Sequence, residues 1–170
     1  MKKIIVLFVL LSLAGCAKVT ENTPVDEYIS RSAEFSLTFP ASYELSTASD
    51  SSSDGVEVTA HCVRSGERIT LSVVSPERSK DVGIKLGGDG CFLTVGETSI
   101  AMSESAGRGI TDVFAAMFPD SYTISASEDG QSRLLTSEYG TVYVSEDGIP
   151  QKISCGEREI TVSDFVAQAE

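Results

Sequence analysis

The chain has no tryptophan and a single histidine, and its 13 basic residues are outnumbered by 25 acidic ones. A formal net charge of −12 makes the chain repel nucleic acid, so no nucleic-acid partner is expected. The lone histidine, His61, leaves no HxxxH pair, and CxxC pairs are absent, so no metal site is predicted. The chain also lacks a Gly-x-Ser-x-Gly pentapeptide and a phosphate-binding loop. We therefore expect neither an enzyme nor a cofactor.

Long apolar runs are also scarce, and the longest lies within Met1–Cys16, where Lys2 and Lys3 precede it. This run is shorter than the ~20 apolar residues that a membrane-spanning helix needs. Basic residues, a short apolar segment and small residues before a cleavage point are typical of a secretory signal peptide. The segment closes with Leu13-Ala14-Gly15-Cys16, which resembles the lipobox of bacterial lipoproteins. Residues 1–15 are accordingly predicted to be the signal peptide.

The lipobox resemblance implies that Cys16 receives the lipid and becomes the first residue of the mature chain. Cleavage there would leave 155 of the 170 residues and, with Lys2 and Lys3 removed, a net charge of −14. Two or more acyl chains anchor a protein stably, so the expected partner is a bacterial membrane on its extracytoplasmic side. Ala17 stands where inner-membrane retention in Gram-negative lipoproteins uses Asp. This implies the outer membrane in such a cell, and the outer face of the plasma membrane in a cell with one membrane.

Residues 17–32 are mostly polar with little apolar periodicity, which predicts a flexible tether behind Cys16. From residue 33 onward apolar and polar residues alternate in short runs separated by Gly- and Asp-containing turns, as in an antiparallel meander. The alternating sets are Phe35-Leu37-Phe39, Val56-Val58-Ala60-Cys62, Ile69-Leu71-Val73, Val82-Ile84-Leu86, Cys91-Leu93-Val95, Ile100-Met102, Tyr122-Ile124-Ala126, and two closing strands over 151–155 and 159–163. Serine-rich residues 46–55 are predicted to be a loop. We therefore predict a single mainly β (α+β) domain over residues 33–170.

One segment has the period of a helix instead. Ile110, Val113, Phe114, Met117 and Phe118 lie at i, i+3, i+4, i+7 and i+8, and Pro119 follows where the helix must end. Two interpretations of this apolar stripe are open. It plugs the core of the sheet, or its five side chains bind an apolar ligand, because Met and Phe adapt to irregular apolar shapes.

Three cysteines follow Cys16, and each shares the alternation parity of its apolar neighbours. An odd number argues against a disulfide framework. We therefore predict that Cys62, Cys91 and Cys155 are buried free thiols that pack as small apolar side chains.

Several features together resemble one known group of proteins. They are the lipobox, the strand ending at Phe39-Pro40, the run Val73-Val74-Ser75-Pro76-Glu77, the single helix and the sequence YVSEDGIP over 143–150. Over residues 34–170 these resemble the superfamily of bacterial lipoproteins and lipoprotein-localisation factors with the LolA-like fold. The resemblance implies an antiparallel sheet curled into an open half-barrel, a helical lid and an acyl chain or other apolar ligand inside.

The chain departs from the carrier members of that superfamily, because it is itself membrane-anchored and has one clear helix. Two functions are therefore open: a lipoprotein that binds a lipid or other apolar small molecule, or a cell-envelope interaction or sensor lipoprotein with a filled core. The sequence does not identify a protein partner for either function.

Overall fold

A computed structural model of the protein describes residues 25, 28–29, 32–40, 56–128 and 130–168. Within these residues it contains eleven strands, a 3-10 turn over Glu77–Ser79 and the helix α1 over Glu104–Met117, and Val25, Tyr28 and Ile29 are also helical. The strands are β1 Ala33–Phe39, β2 Val58–Ser65, β3 Arg68–Ser75, β4 Val82–Gly87, β5 Gly90–Val95, β6 Thr98–Ala101, β7 Thr123–Ala126, β8 Ser132–Thr136, β9 Thr141–Ser145, β10 Pro150–Cys155 and β11 Arg158–Ala167. The predicted signal peptide, Cys16 and the loop over 46–55 lie outside the described residues.

All eleven strands join one antiparallel sheet in the order β6-β5-β4-β3-β2-β1-β11-β10-β9-β8-β7. Two meanders, β1–β6 and β7–β11, meet where β1 pairs with β11. Within the described residues the sheet stays open, because β6 and β7 form its two edges. The predicted mainly β antiparallel meander is confirmed.

The predicted alternation places one apolar row along the inner face of six consecutive strands. From β1 to β6 this row pairs Phe35, Cys62, Leu71, Ile84, Leu93 and Ile100 in register. Phe35 is fully buried, whereas Ile100 on the edge strand is 52% exposed. The row is therefore covered at its centre and open at the β6 edge.

Helix α1 lies inside the curl of the sheet. It contacts β5 in one half of the sheet and β9 and β10 in the other. In a flat sheet β5 and β10 would be about 29 Å apart, but a helix is only about 10–12 Å wide. The strands must therefore curl around α1.

The ends of α1 follow from its sequence. The Ser103 hydroxyl accepts a hydrogen bond from the Ala106 N–H at 3.3 Å and caps the N-terminus. At the other end the Phe118 N–H donates to the Phe114 carbonyl, and Pro119 follows. The predicted helix over the apolar stripe is confirmed.

The prediction of a flexible tether over residues 17–32 is wrong for the C-terminal part of that range. Val25, Tyr28 and Ile29 are helical, and both Val25 and Tyr28 are buried in the core. The Tyr28 hydroxyl donates a 2.7 Å hydrogen bond to the Met117 carbonyl at the C-terminus of α1. This partner lies 89 residues away, so no local pattern could reveal it.

The cysteine prediction is correct for bonding and only in part for burial. Cys62, Cys91 and Cys155 are all free thiols, but Cys62 alone is fully buried and the other two are half-buried. Their partial exposure arises because Cys91 faces open space beside α1 and Cys155 ends its strand at a turn.

Candidate ligand-binding site

The N-terminal half of α1 stands over the inner face of β3, β4 and β5 without filling the space below. The cavity that remains, here called the apolar chamber, has a volume of about 250 Å³. Its walls are Phe39, Pro40, Val56, Val58, Leu71, Val73, Val82, Gly83, Ile84, Leu93, Met102, Ala106 and Ile110. None of these side chains carries a charge or a hydrogen-bonding N–H or O–H group.

A second, wider space opens beside the apolar chamber at the other end of the same strands. This cleft has a volume of about 920 Å³ and is bounded by residues of the β2–β3 turn, the β4–β5 turn and α1. Its floor includes Ile69, Leu86, Cys91, Phe114 and Phe118. Met102 belongs to both walls, so the cleft and the apolar chamber adjoin at this residue.

The boundary between the two spaces is a close contact between α1 and β5. A Cβ atom on Gly107 would lie 3.2 Å from the Cys91 Cβ, so the glycine lets the helix approach the strand closely. The Cys91 thiol lies 3.5 Å from the Met102 sulfur, and burial raises the pKa of this thiol. Two polarisable sulfur atoms thus lie beside the boundary between the two spaces.

The five residues of the predicted binding stripe divide into two groups. Ile110 lines the apolar chamber, and Phe114 and Phe118 line the cleft. Val113 and Met117 are fully buried and line neither space. One side of α1 therefore packs into the core and the other leaves room, and ligand binding by the stripe stays a prediction.

An aromatic cluster fills the core under the C-terminal half of α1. The Phe35 ring lies 5.9 Å from Phe118, 5.9 Å from Phe165 and 6.5 Å from Phe114. Tyr28 adds a ring 6.1 Å from Phe118, and burial raises the pKa of its phenol. Rings at these separations attract each other beyond their burial, so the cluster stabilises this half of the core.

The rim of the cleft carries most of the charge near the two spaces. Among the described residues that line the cleft, Arg64 is the only cation, whereas Glu67, Glu104 and Asp120 are acidic. The Arg64 guanidinium lies 4.1 Å from the centre of the Phe118 ring and donates to the Ile29 carbonyl. Burial lowers the pKa of this guanidinium. The cation is thus already committed to the protein, and the cleft presents an acidic rim.

Sequence reasoning did not single out the rest of the chamber wall. Met102 and Ala106 lie before and within the first turn of α1, and the opposite wall comes from the inner faces of β3–β5. The alternation marked these strand residues as inward-facing, but their separation from α1 is a tertiary property. Among the described residues no group of three His, Cys, Asp or Glu side chains is placed to hold a metal ion.

Comparisons with other proteins leave the function open. No protein-family model and no curated protein matches the chain. A solved structure of an uncharacterized conserved protein from Thermus thermophilus is similar to it with a TM-score of 0.47 and 10% sequence identity. The match covers 86% of this chain and 85% of that one. At this similarity it carries no inference about activity or ligand.

Proposed function

We propose that the protein is a lipid-anchored extracytoplasmic lipoprotein that binds an apolar small molecule in the apolar chamber. The observation that carries this proposal is a cavity of about 250 Å³ in which no described wall residue has a charged side chain. Cavities of about 150 Å³ with such walls stay dry and take up benzene-sized molecules. A ligand chain would gain about 0.8 kcal/mol for each methylene that it buries.

In this proposal the N-terminal half of α1 is the lid of an open half-barrel. Ala106 and Ile110 form its underside, while Leu71, Ile84 and Leu93 form the floor. The C-terminal half of α1 is held by the aromatic cluster and by the hydrogen bond from Tyr28. In this proposal the lid has one packed end and one end over the apolar chamber.

The proposed anchor holds the domain near the membrane. Nine residues lead from Cys16 to Val25, the first described residue, and they span at most about 30 Å when fully extended. Among the described residues no helix is long and apolar enough to cross a membrane. The anchoring proposal therefore rests on the lipobox at Leu13–Cys16.

Metabolic labelling tests the anchor directly. The full chain, expressed in a bacterial host supplied with radiolabelled palmitate, is expected to carry label that Cys16→Ser removes and Cys155→Ser retains. An unlabelled wild-type chain, or label that survives Cys16→Ser, would refute lipid attachment at this cysteine.

The ligand proposal is tested on the mature form, residues 16–170 with Cys16→Ser, which contains every described residue. Native mass spectrometry after incubation with 1-decanol is expected to show one bound molecule per chain. A chain that stays ligand-free in decanol-saturated buffer would contradict it.

One observation favours the alternative, an interaction lipoprotein of the cell envelope. Both edge strands carry an exposed apolar side chain: Ile100 on β6 is 52% exposed and Ile124 on β7 is 45% exposed. Edge strands with exposed apolar side chains are common places for another chain to pair. This function predicts that Ile100→Lys abolishes partner binding while decanol is never bound.

A further inference from the structure

Met102 forms the end of the apolar chamber that borders the cleft. Among the described residues it is the only one that lines both spaces. Its N–H donates a 2.9 Å hydrogen bond to the Cys91 carbonyl, and its sulfur lies 3.5 Å from the Cys91 thiol. A Cβ atom on Gly107 would lie 3.2 Å from the Cys91 Cβ, so α1 and β5 leave little space beside these two sulfur atoms. Met102 and Cys91 therefore form a partition between the chamber and the cleft.

The opposite end of the chamber meets solvent. Val56 is 46% exposed, more than any other described residue of the chamber wall. It precedes β2, whereas Cys91 is in register, through β4 and β3, with Arg64 near the end of β2. Val58 and Arg64 are six residues apart on β2, which is about 20 Å along a strand. A polar group that must stay hydrated therefore lies at the Val56 end, and an aliphatic chain points toward Met102.

The volume of the chamber limits the length of that chain. A cavity of about 150 Å³ with apolar walls takes up benzene, which corresponds to about 25 Å³ for each carbon atom. The chamber of about 250 Å³ therefore accommodates about ten carbon atoms. A longer chain would have to pass the partition or leave its remaining methylenes in water at the Val56 end.

We propose that the ligand is an unbranched aliphatic compound of medium chain length, at most about ten carbon atoms, and that Met102 is the specificity-determining residue that sets this limit. This inference rests on the proposed function, because it names the ligand class of the same chamber. Each methylene that enters the chamber adds affinity, whereas a methylene beyond the limit stays in contact with water and adds little. The Cys91 thiol supports the Met102 side chain from the cleft.

The limit is tested with 1-hexanol, 1-octanol, 1-decanol and 1-dodecanol by isothermal titration of the mature form. Each buried methylene raises the affinity about fourfold, so decanol is expected to bind about 15-fold more tightly than octanol. Dodecanol is expected to exceed decanol by less than about threefold, because its two extra methylenes find no room. An equal gain at every step up to dodecanol would overturn the length limit and leave the ligand site intact.

Met102→Ala removes the partition. The chain of dodecanol can then continue over Cys91 onto the apolar floor of the cleft, where Leu86 and Ile69 lie. We expect dodecanol to bind this variant about 15-fold more tightly than decanol does. The matched control Leu86→Ala shortens a half-buried side chain that lines the cleft and not the chamber, so the limit should be retained. If the ratio of dodecanol to decanol affinity were the same in Met102→Ala and the wild type, the role of Met102 would be overturned.

Ala106→Leu tests the same limit from the α1 side of the chamber. Its three added carbon atoms leave room for about seven, so the affinity for hexanol should be unchanged while the gain from octanol to decanol falls below about threefold. A gain that survives in this variant would contradict the limit by volume. Failure of all four alcohols to bind the wild type would overturn the chamber as a ligand site, and the length limit with it.

Discussion

Ala106→Leu tests whether the apolar chamber is truly empty. Ala106 lies on the first turns of α1 and forms part of the chamber wall. Leucine adds three carbon atoms, and each buried methylene contributes about 0.8 kcal/mol, which gives an upper limit of about 2.4 kcal/mol. The lost side-chain entropy of about 0.5–1 kcal/mol is subtracted, and compactness of the unfolded chain lowers the gain further. We therefore expect the free energy of unfolding to rise by about 1–2 kcal/mol.

The same leucine should weaken ligand binding, because it occupies volume that three methylenes of decanol would otherwise take. At about 0.8 kcal/mol for each methylene, the affinity for decanol should fall about fiftyfold. Urea unfolding followed by circular dichroism measures the first effect, and isothermal titration of the mature form measures the second.

Ala116→Leu is the matched control on the same helix. Ala116 is fully buried. A Cβ atom built on Gly140 would lie only 3.3 Å from the Ala116 Cβ, so no room is available beside Ala116 for a larger side chain. Overpacking should lower the free energy of unfolding by about 1–3 kcal/mol. If Ala106→Leu destabilised the protein equally and left decanol affinity unchanged, the reasoning that locates empty space beneath α1 would be refuted.

Two further predictions concern groups on the filled side of the core. Tyr28→Phe removes the hydroxyl that donates to the Met117 carbonyl, so urea unfolding should show a loss of about 1–2 kcal/mol. Tyr139→Phe, at an exposed ring, should change stability by less than about 0.5 kcal/mol, and a similar loss in both would contradict the role of the buried bond. Burial raises the pKa of the Cys62 thiol from 9.0 to about 12, so above pH 9 the unfolded chain releases a proton that the folded chain keeps, and stability falls. This thiol should lower the free energy of unfolding by about 1.4 kcal/mol at about pH 10 relative to about pH 7. In Cys62→Ala the free energy of unfolding should fall correspondingly less between these pH values. An identical fall in the variant and the wild type would contradict the raised pKa.

The sequence by itself determined the meander and the helix. Alternation in Phe35-Leu37-Phe39 and its counterparts is a property of neighbouring residues, and so is the spacing of Ile110, Val113 and Phe114. Both patterns report which face of an element is apolar, and the structure orients those faces inward as predicted.

Only the tertiary structure decided how far the apolar faces are from one another. Val113 and Met117 are packed whereas Ile110 borders the apolar chamber, although all three belong to one stripe. The difference depends on how the sheet curls around α1, which brings residues of distant strands against the helix. The burial of Tyr28 likewise depends on a partner 89 residues away. A residue's own neighbours fix its preferred conformation, but empty space and long-range contacts arise only when distant elements pack together.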